Sequence, residues 1–302
     1  MSDGFPVEVR GLSKHYGAVA AVDQVDLTVE PSDIYGYLGP NGAGKTTTLR
    51  MLLGLIRRDG GTVSLFGRDP ADGIAALRDV AGFVESPAFY PYLSGRENLR
   101  LLGALDGGAD RRSVDAALDQ VGLLDRAGDR VGTYSLGMRQ RLGIAGSLMR
   151  SPKLLVLDEP ANGLDPAGIR DLRTLVTQLP EQGVTVLYSS HLLAEVEEVC
   201  KRVAIVNGGR IAFEGRLDEL RASFGSSYRI ETSDLPRTLE LAQRVGAGTA
   251  RLEGDAVWID AEGELIDRLS VELGRNDVAI RHLAREQRSL EDLFFRLTED
   301  DE

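Results

Sequence analysis

Apolar residues fall into short runs that alternate with longer segments of helical period through the first two thirds of the chain. The runs at 34–38, 80–84, 154–157, 184–188 and 203–206 are rich in Val, Ile and Leu and flanked closely by Gly, Pro or Asp. Runs of this length without polar alternation predict parallel strands covered on both faces. The stretch 85–153 holds no such run. Its periodic segments at 114–121 and 136–149 predict a helical insertion on the sheet, and 49–55 predicts the helix that follows the first strand.

After Gly215 the pattern changes. Strands are predicted at 228–232, 249–252, 256–260 and 278–283, with helices at 236–245 and 262–273, an order that suits a small split βαβ unit. A last helix is predicted from Ser289, where Ser-x-x-Asp292 forms a capping pattern, with Leu290, Leu293, Phe294 and Leu297 on its buried face. The acidic run 299–302 reads as a solvated end. Trp258 reads as core of this tail and Cys200 as a buried small hydrophobe.

Charge sharpens this division. The 302 residues carry a net charge of −12, of which −9 falls in 218–302 and −3 in 1–217. Such an acidic chain is ill suited to broad nucleic-acid binding, and no nucleic acid is expected as partner. One Cys and three His exclude a disulfide framework and a Cys/His zinc cluster, and imply a reduced compartment. No run of about 18–20 apolar residues is present, nor does MSDGFPVEVRG read as a secretion signal.

The clearest chemistry lies just after the first buried run. Gly39, Pro40, Asn41, Gly42, Ala43, Gly44, Lys45 and Thr46 spell G-x-x-x-x-G-K-T, followed by Thr47. Glycines let backbone N–H groups wrap around phosphates, and the following helix turns its positive end to the same charge. Lys45 is expected on the β and γ phosphates of ATP and Thr46 on Mg²⁺. A second run ends in Asp158 and Glu159. Carboxylates at a strand end lie where an open α/β sheet places its ligand groups. Asp158 is expected to serve Mg²⁺, and Glu159 to polarise the attacking water.

With these residues in order, the chain resembles the nucleotide-binding subunits of ATP-binding cassette (ABC) transporters over about residues 5–217. Tyr16 stands where that family stacks an aromatic ring on adenine. Residues 134–140, Tyr-Ser-Leu-Gly-Met-Arg-Gln, stand in the place of its signature, with Ser135 and Gly137 retained. Asp165 matches the D-loop and His191 the switch histidine. The resemblance implies an α/β fold: a P-loop NTPase ABC cassette with a RecA-like core sheet, an N-terminal antiparallel β region and a helical subdomain at about 86–150. It divides the chain into a nucleotide-binding domain, 1–217, and a C-terminal accessory α+β domain, 218–302.

The implied activity is hydrolysis of ATP to ADP and phosphate, with Glu159, His191 and Lys45 as the catalytic groups. The signature of one cassette faces the phosphates bound by another, so a second copy is the expected partner. A separate integral-membrane permease is the other, met near Glu85, Phe89 and Tyr90. The chain would then sit in the cytoplasm, peripheral on the inner face of the cell membrane.

Two departures are informative. Glu85 replaces the family's usual Gln, where a carboxylate can face Mg²⁺ or serve in coupling. Met138 replaces the signature Gln, with Leu136 for its first Gly. These departures, and the terminal RSLEDLFFRLTED, resemble an export branch that includes bacitracin-type, lantibiotic-immunity and drug-export ATPases. The substrate implied is a peptide antibiotic or a hydrophobic drug. A non-transport ABC ATPase and an import-type ABC ATPase are the alternatives. Tyr92, close to Phe89 and Tyr90, belongs to the same aromatic cluster, while His15 and His282 carry no assignment.

Overall fold

A computed structural model describes residues 4–105, 107–108, 110–223, 227–247, 249–261, 263–286 and Phe294. It divides into two compact units that meet in sequence between Gly215 and Arg216. The predicted last helix and the acidic end lie outside the described residues, apart from Phe294, which is helical and buried.

The first unit opens with β1 (Val7–Tyr16) and β2 (Val19–Val29), which pair antiparallel with register shifts near Gly11. Next come β3 (Ile34–Leu38), α1 (Lys45–Leu52) and β4 (Gly60–Ser64), the last pairing antiparallel with β1. After β5 (Val80–Phe83), helices α2 (Gly95–Leu105), α3 (Arg111–Gln120) and α4 (Leu136–Leu148) form the insertion. The chain returns through β6 (Leu154–Asp158), α5 (Pro166–Gln178), β7 (Thr185–Ser190), α6 (Leu193–Val199), β8 (Arg202–Asn207) and β9 (Arg210–Arg216).

The main sheet has the order β5-β6-β7-β3-β8-β9, with β5 through β8 parallel. Every residue of β3, β6 and β7 is buried, the physical reason these segments read as unbroken apolar runs. Leu49, Met51 and Leu52 of α1 are buried in the same cluster as Tyr35, Tyr37, Val156 and Leu187. Each such side chain contributes about 1.5–3 kcal/mol by burial, so the helix carrying Lys45 and Thr46 is firmly anchored.

The second unit begins with α7 (Leu217–Ser223). It continues through β10 (Ser227–Thr232), α8 (Leu235–Arg244), β11 (Thr249–Glu253), β12 (Ala256–Asp260), α9 (Gly263–Arg275) and β13 (Ile280–Glu286). Its sheet runs β11-β12-β10-β13, antiparallel throughout, the arrangement of a split βαβ unit. Ile230, Val257 and Ile259 pack with Leu241, Leu269 and Leu273 of the helices. Trp258 departs from its sequence reading. Alternation along β12 turns it away from buried Val257 and Ile259, and it stands partly exposed in register between Arg229 and Arg251.

Candidate active site

The order β6-β7-β3 brings three strand ends together, and each ends in chemistry. Leu38 leads into the loop 39–44, which turns directly into α1. At Gly39 a Cβ would lie 2.4 Å from the Val206 carbonyl oxygen. Gly44 has φ +98°, and a Cβ there would lie 2.2 Å from the Ala21 oxygen. Only glycine fits either position. Asn41 and Gly42 remain exposed at the tip, while Ala43 closes the turn through its N–H to the Pro40 oxygen at 3.2 Å. Lys45 is buried; its ammonium donates to the oxygens of Gly39 at 2.7 Å and Pro40 at 3.1 Å, and pairs with Glu159 Oε1 at 3.1 Å.

At the end of β6, Asp158 is 2 % exposed and both its oxygens are held. Thr46 Oγ1 donates to Oδ2 at 2.9 Å, and Ser189 Oγ on the adjacent strand β7 donates to Oδ1 at 2.6 Å. Register dictates the second contact, because Asp158 and Ser189 are paired across the parallel ladder. Glu159 adopts φ +47°, a sparsely populated conformation for a residue with a side chain. Its N–H offsets that cost by donating to Ser189 Oγ at 3.0 Å. Its second carboxylate oxygen meets Nδ1 of His191 in a short contact. Glu159 thus bridges Lys45 and His191, and the cluster carries two hydroxyls, two carboxylates, an ammonium and an imidazole within one hydrogen-bonded group.

Tyr16, half exposed at the end of β1, has Lys14 Nζ 5.5 Å from its ring centroid. Asp59 holds Lys14 Nζ at 2.7 Å and accepts the His15 N–H at 2.7 Å, which fixes the strand end that carries Tyr16. Exposed Ser135 caps α4 by accepting the Met138 N–H at 3.2 Å, and Gly137 lies in the helix's first turn. Exposed Asp165 caps α5 through the Gly168 N–H at 2.9 Å. These two helix starts adjoin: a Cβ on Gly137 would come within 3.7 Å of Gly168 Cα. Among the described residues no hydrogen bond joins Ser135 or Gly137 to the loop 39–46 of the same chain. Thr47 follows Thr46 on α1, partly exposed.

Glu85 is not gathered into the cluster. It is exposed, has φ +67°, and its carboxylate pairs with Arg50 in the last turn of α1. Its carboxylate is hydrogen-bonded to the Arg50 guanidinium, whereas Thr46 and Asp158 are bonded to each other. Beyond Glu85, an apolar groove of about 460 Å³ opens between Phe83, Pro87, Phe89, Leu102, Leu105 and Gly143. An adjoining hollow of about 670 Å³ carries Tyr90 and Tyr92, whose ring centroids are 5.8 Å apart. Gly143 makes room for this groove, since a Cβ there would press within 2.8 Å of Pro87.

Sequence reasoning missed Ser189, Ser190 and Glu195. Ser189 and Ser190 stand in the sequence only as neighbours of His191, and nothing in the local pattern sets Glu195 apart from Glu197 and Glu198. In the fold Glu195 is buried, and burial raises its carboxyl above the usual range.

Phosphate loop, paired carboxylates and a histidine at adjacent strand ends of a parallel sheet define a nucleotide-hydrolysing enzyme of the P-loop class. A sequence model of the ABC transporter family matches residues 22–162. The bacitracin transport ATP-binding protein BcrA of Enterococcus faecalis is 36% identical over 97% of this chain and 96% of its own. The daunorubicin/doxorubicin resistance ATP-binding protein DrrA of Streptomyces peucetius is also 36% identical, over 97% of this chain and 92% of its own. A solved ATP-binding subunit of an ABC transporter superposes with a TM-score of 0.65 at 32% identity, covering 72% of this chain and 92% of that one. The chain belongs to the ATP-binding subunits of ABC transporters and is an ATPase that binds ATP and ADP.

Proposed function

We propose that this chain powers an exporter by pairing with a second copy of itself around two ATP molecules. The observation that carries the pairing is the position of Ser135 and Gly137. They stand at a helix N-terminus, Ser135 exposed and Gly137 partly exposed, near the helix that Asp165 caps, with no hydrogen bond to the phosphate loop of their own chain. A head-to-tail pair gives each loop 39–46 the partner's helix end, where N–H groups and the positive end of the dipole suit a γ phosphate. Tyr16 would stack on adenine.

The donor set fits Mg²⁺: a hydroxyl and a carboxylate already 2.9 Å apart, both hard oxygen ligands. Thr46 and Asp158 would hold the ion, and it would supply charge neutralisation on the phosphate oxygens. Arriving phosphates take Lys45 from Glu159 and from the Gly39 and Pro40 carbonyls. Glu159, still held by His191, is then free to accept a proton from the attacking water. His191 keeps the carboxylate aimed at the γ phosphate. Hydrolysis removes the group shared between the two copies and lets them part.

The apolar groove beside Phe89 and Leu105, two of whose lining residues, Phe83 and Pro87, flank Glu85 in sequence, suits a short helix from a membrane permease. Relatives named for bacitracin transport and daunorubicin resistance support a peptide antibiotic or hydrophobic drug as cargo. No helix among the described residues is long and apolar enough to cross a membrane, and we place the chain on the cytoplasmic face, held there by the permease. Residues 1–217 then form the motor and 218–302 an accessory domain. Cells expressing the chain with its permease should survive higher concentrations of such a compound, and Lys45→Ala should abolish the gain. Equal protection by the Lys45→Ala variant would refute an ATP-driven exporter.

A further inference from the structure

Glu195 lies four residues beyond His191 and is nine-tenths buried, yet no step of hydrolysis uses it. Its Oε2 accepts the Ser190 hydroxyl at 2.9 Å, with the Tyr188 hydroxyl 3.5 Å away. Ser190 Oγ in turn accepts the Leu192 N–H at 3.0 Å, which ties together the residues on either side of His191. The Ser190 carbonyl oxygen also accepts the N–H of Gly39, the first residue of the phosphate loop, at 3.3 Å. One serine therefore joins the histidine turn to the phosphate loop, and one buried carboxyl holds that serine.

The arrangement is costly. Glu195 Oε1 is buried with no hydrogen-bond partner, and a carboxyl in that state destabilises a fold by about 1–3 kcal/mol. An apolar side chain of the same length would pack there without the penalty. Cost without local return points to a role in the site.

We infer that Glu195 is a positioning residue for hydrolysis: through Ser190 it fixes the turn that presents His191 to Glu159. The groups facing it are Tyr188 and Ser190 of β7, with the charges of His191 and Glu159 at longer range. The hydrogen bond accepted by Oε2 does the holding, and an amide oxygen can accept it as a carboxyl oxygen does.

The inference rests on the role given to His191, and the variants separate the two. Glu195→Met keeps the volume and removes the acceptor. It should lower kcat about 10- to 100-fold, as a displaced catalytic group does, with KM for ATP unchanged and Tm equal or higher. Glu195→Gln should keep kcat within about twofold. Ser190→Ala should reproduce the kcat loss, and the double variant should be no worse than either single one. Wild-type kcat in Glu195→Met, or a loss of Tm that parallels the loss of kcat, overturns the inference. So does Glu195→Gln failing as badly as Glu195→Met. If His191→Ala hydrolyses ATP normally, the reading of His191 falls instead.

Discussion

Replacing Glu159 by Gln tests the bridge between Lys45 and His191 most directly. The change keeps shape and removes one negative charge from a carboxylate that sits 3.1 Å from the Lys45 ammonium. At an effective dielectric of about 20, that separation corresponds to about 5 kcal/mol of gross attraction, most of it offset by solvation and the loop carbonyls. If about 1.4 kcal/mol survives, phosphates compete for Lys45 about tenfold better once the charge is gone. Proton acceptance from water is lost at the same time, which removes about 10²- to 10⁴-fold in rate, or about 3–5 kcal/mol of barrier lowering. The two effects have opposite signs, so Glu159→Gln should bind ATP at least as tightly as the native chain while hydrolysing it far more slowly. Equilibrium binding of a fluorescent ATP analogue and steady-state phosphate release measure them separately. Light scattering after gel filtration in ATP should find the variant as a persistent dimer. A variant that turns over within tenfold of the native rate, or that loses ATP affinity, would refute the bridge as drawn.

Three further outcomes follow from other parts of the molecule. Glu85→Gln should leave hydrolysis by the isolated subunit intact and abolish its stimulation by the permease, read as phosphate release with and without permease in lipid. Leu105→Glu places a charge on a side chain 84 % exposed in the groove wall, so folding should be unchanged while co-purification with the permease falls at least tenfold. The third concerns pH. The folded-state pKa of Glu195 is raised by burial, so the native state holds this proton more tightly than the unfolded chain. That contribution is complete below the unfolded value and is lost as pH rises through the folded one. Thermal melts should show Glu195→Gln more stable than the native chain at pH 7–8, with the gap closing toward pH 4. A gap that widens on acidification would contradict the burial argument.

The parts of the fold legible in the sequence are those where one physical demand acts alone. Strands β3 and β6 are buried on both faces, so their sequences could be little but apolar, and their ends fell beside the glycines and carboxylates that mark the site. Strand β9 went unseen because it lies at the sheet edge and alternates exposed with half-buried residues, leaving no apolar run. Trp258 was misread for a related reason: its neighbours Val257 and Ile259 made the segment look like core, but strand period assigns alternate residues to opposite faces. The groove at Phe89 and Leu105 was hidden differently, since Gly143 and Gly146 clear space in α4 for side chains from segments distant in sequence.

Glu85 shows what local pattern can and cannot say. Its sequence context marked a departure from the family Gln and left two roles open, at the metal or in coupling. The pairing with Arg50 favours coupling. Arg50 lies on α1, the helix that begins with Lys45, and its guanidinium takes the carboxylate of Glu85, which lies in sequence between the groove residues Phe83 and Pro87. If a permease helix docks in the groove as proposed, a shift of the 84–89 segment would reach α1 through that pair. A Gln there would keep a weaker, neutral hydrogen bond to Arg50, whereas the charged pair resists separation. On the proposed docking, the replacement of Gln by Glu favours a stiffer link between the groove and the phosphate loop, and this is why Glu85→Gln should spare basal hydrolysis and cost the response to the permease.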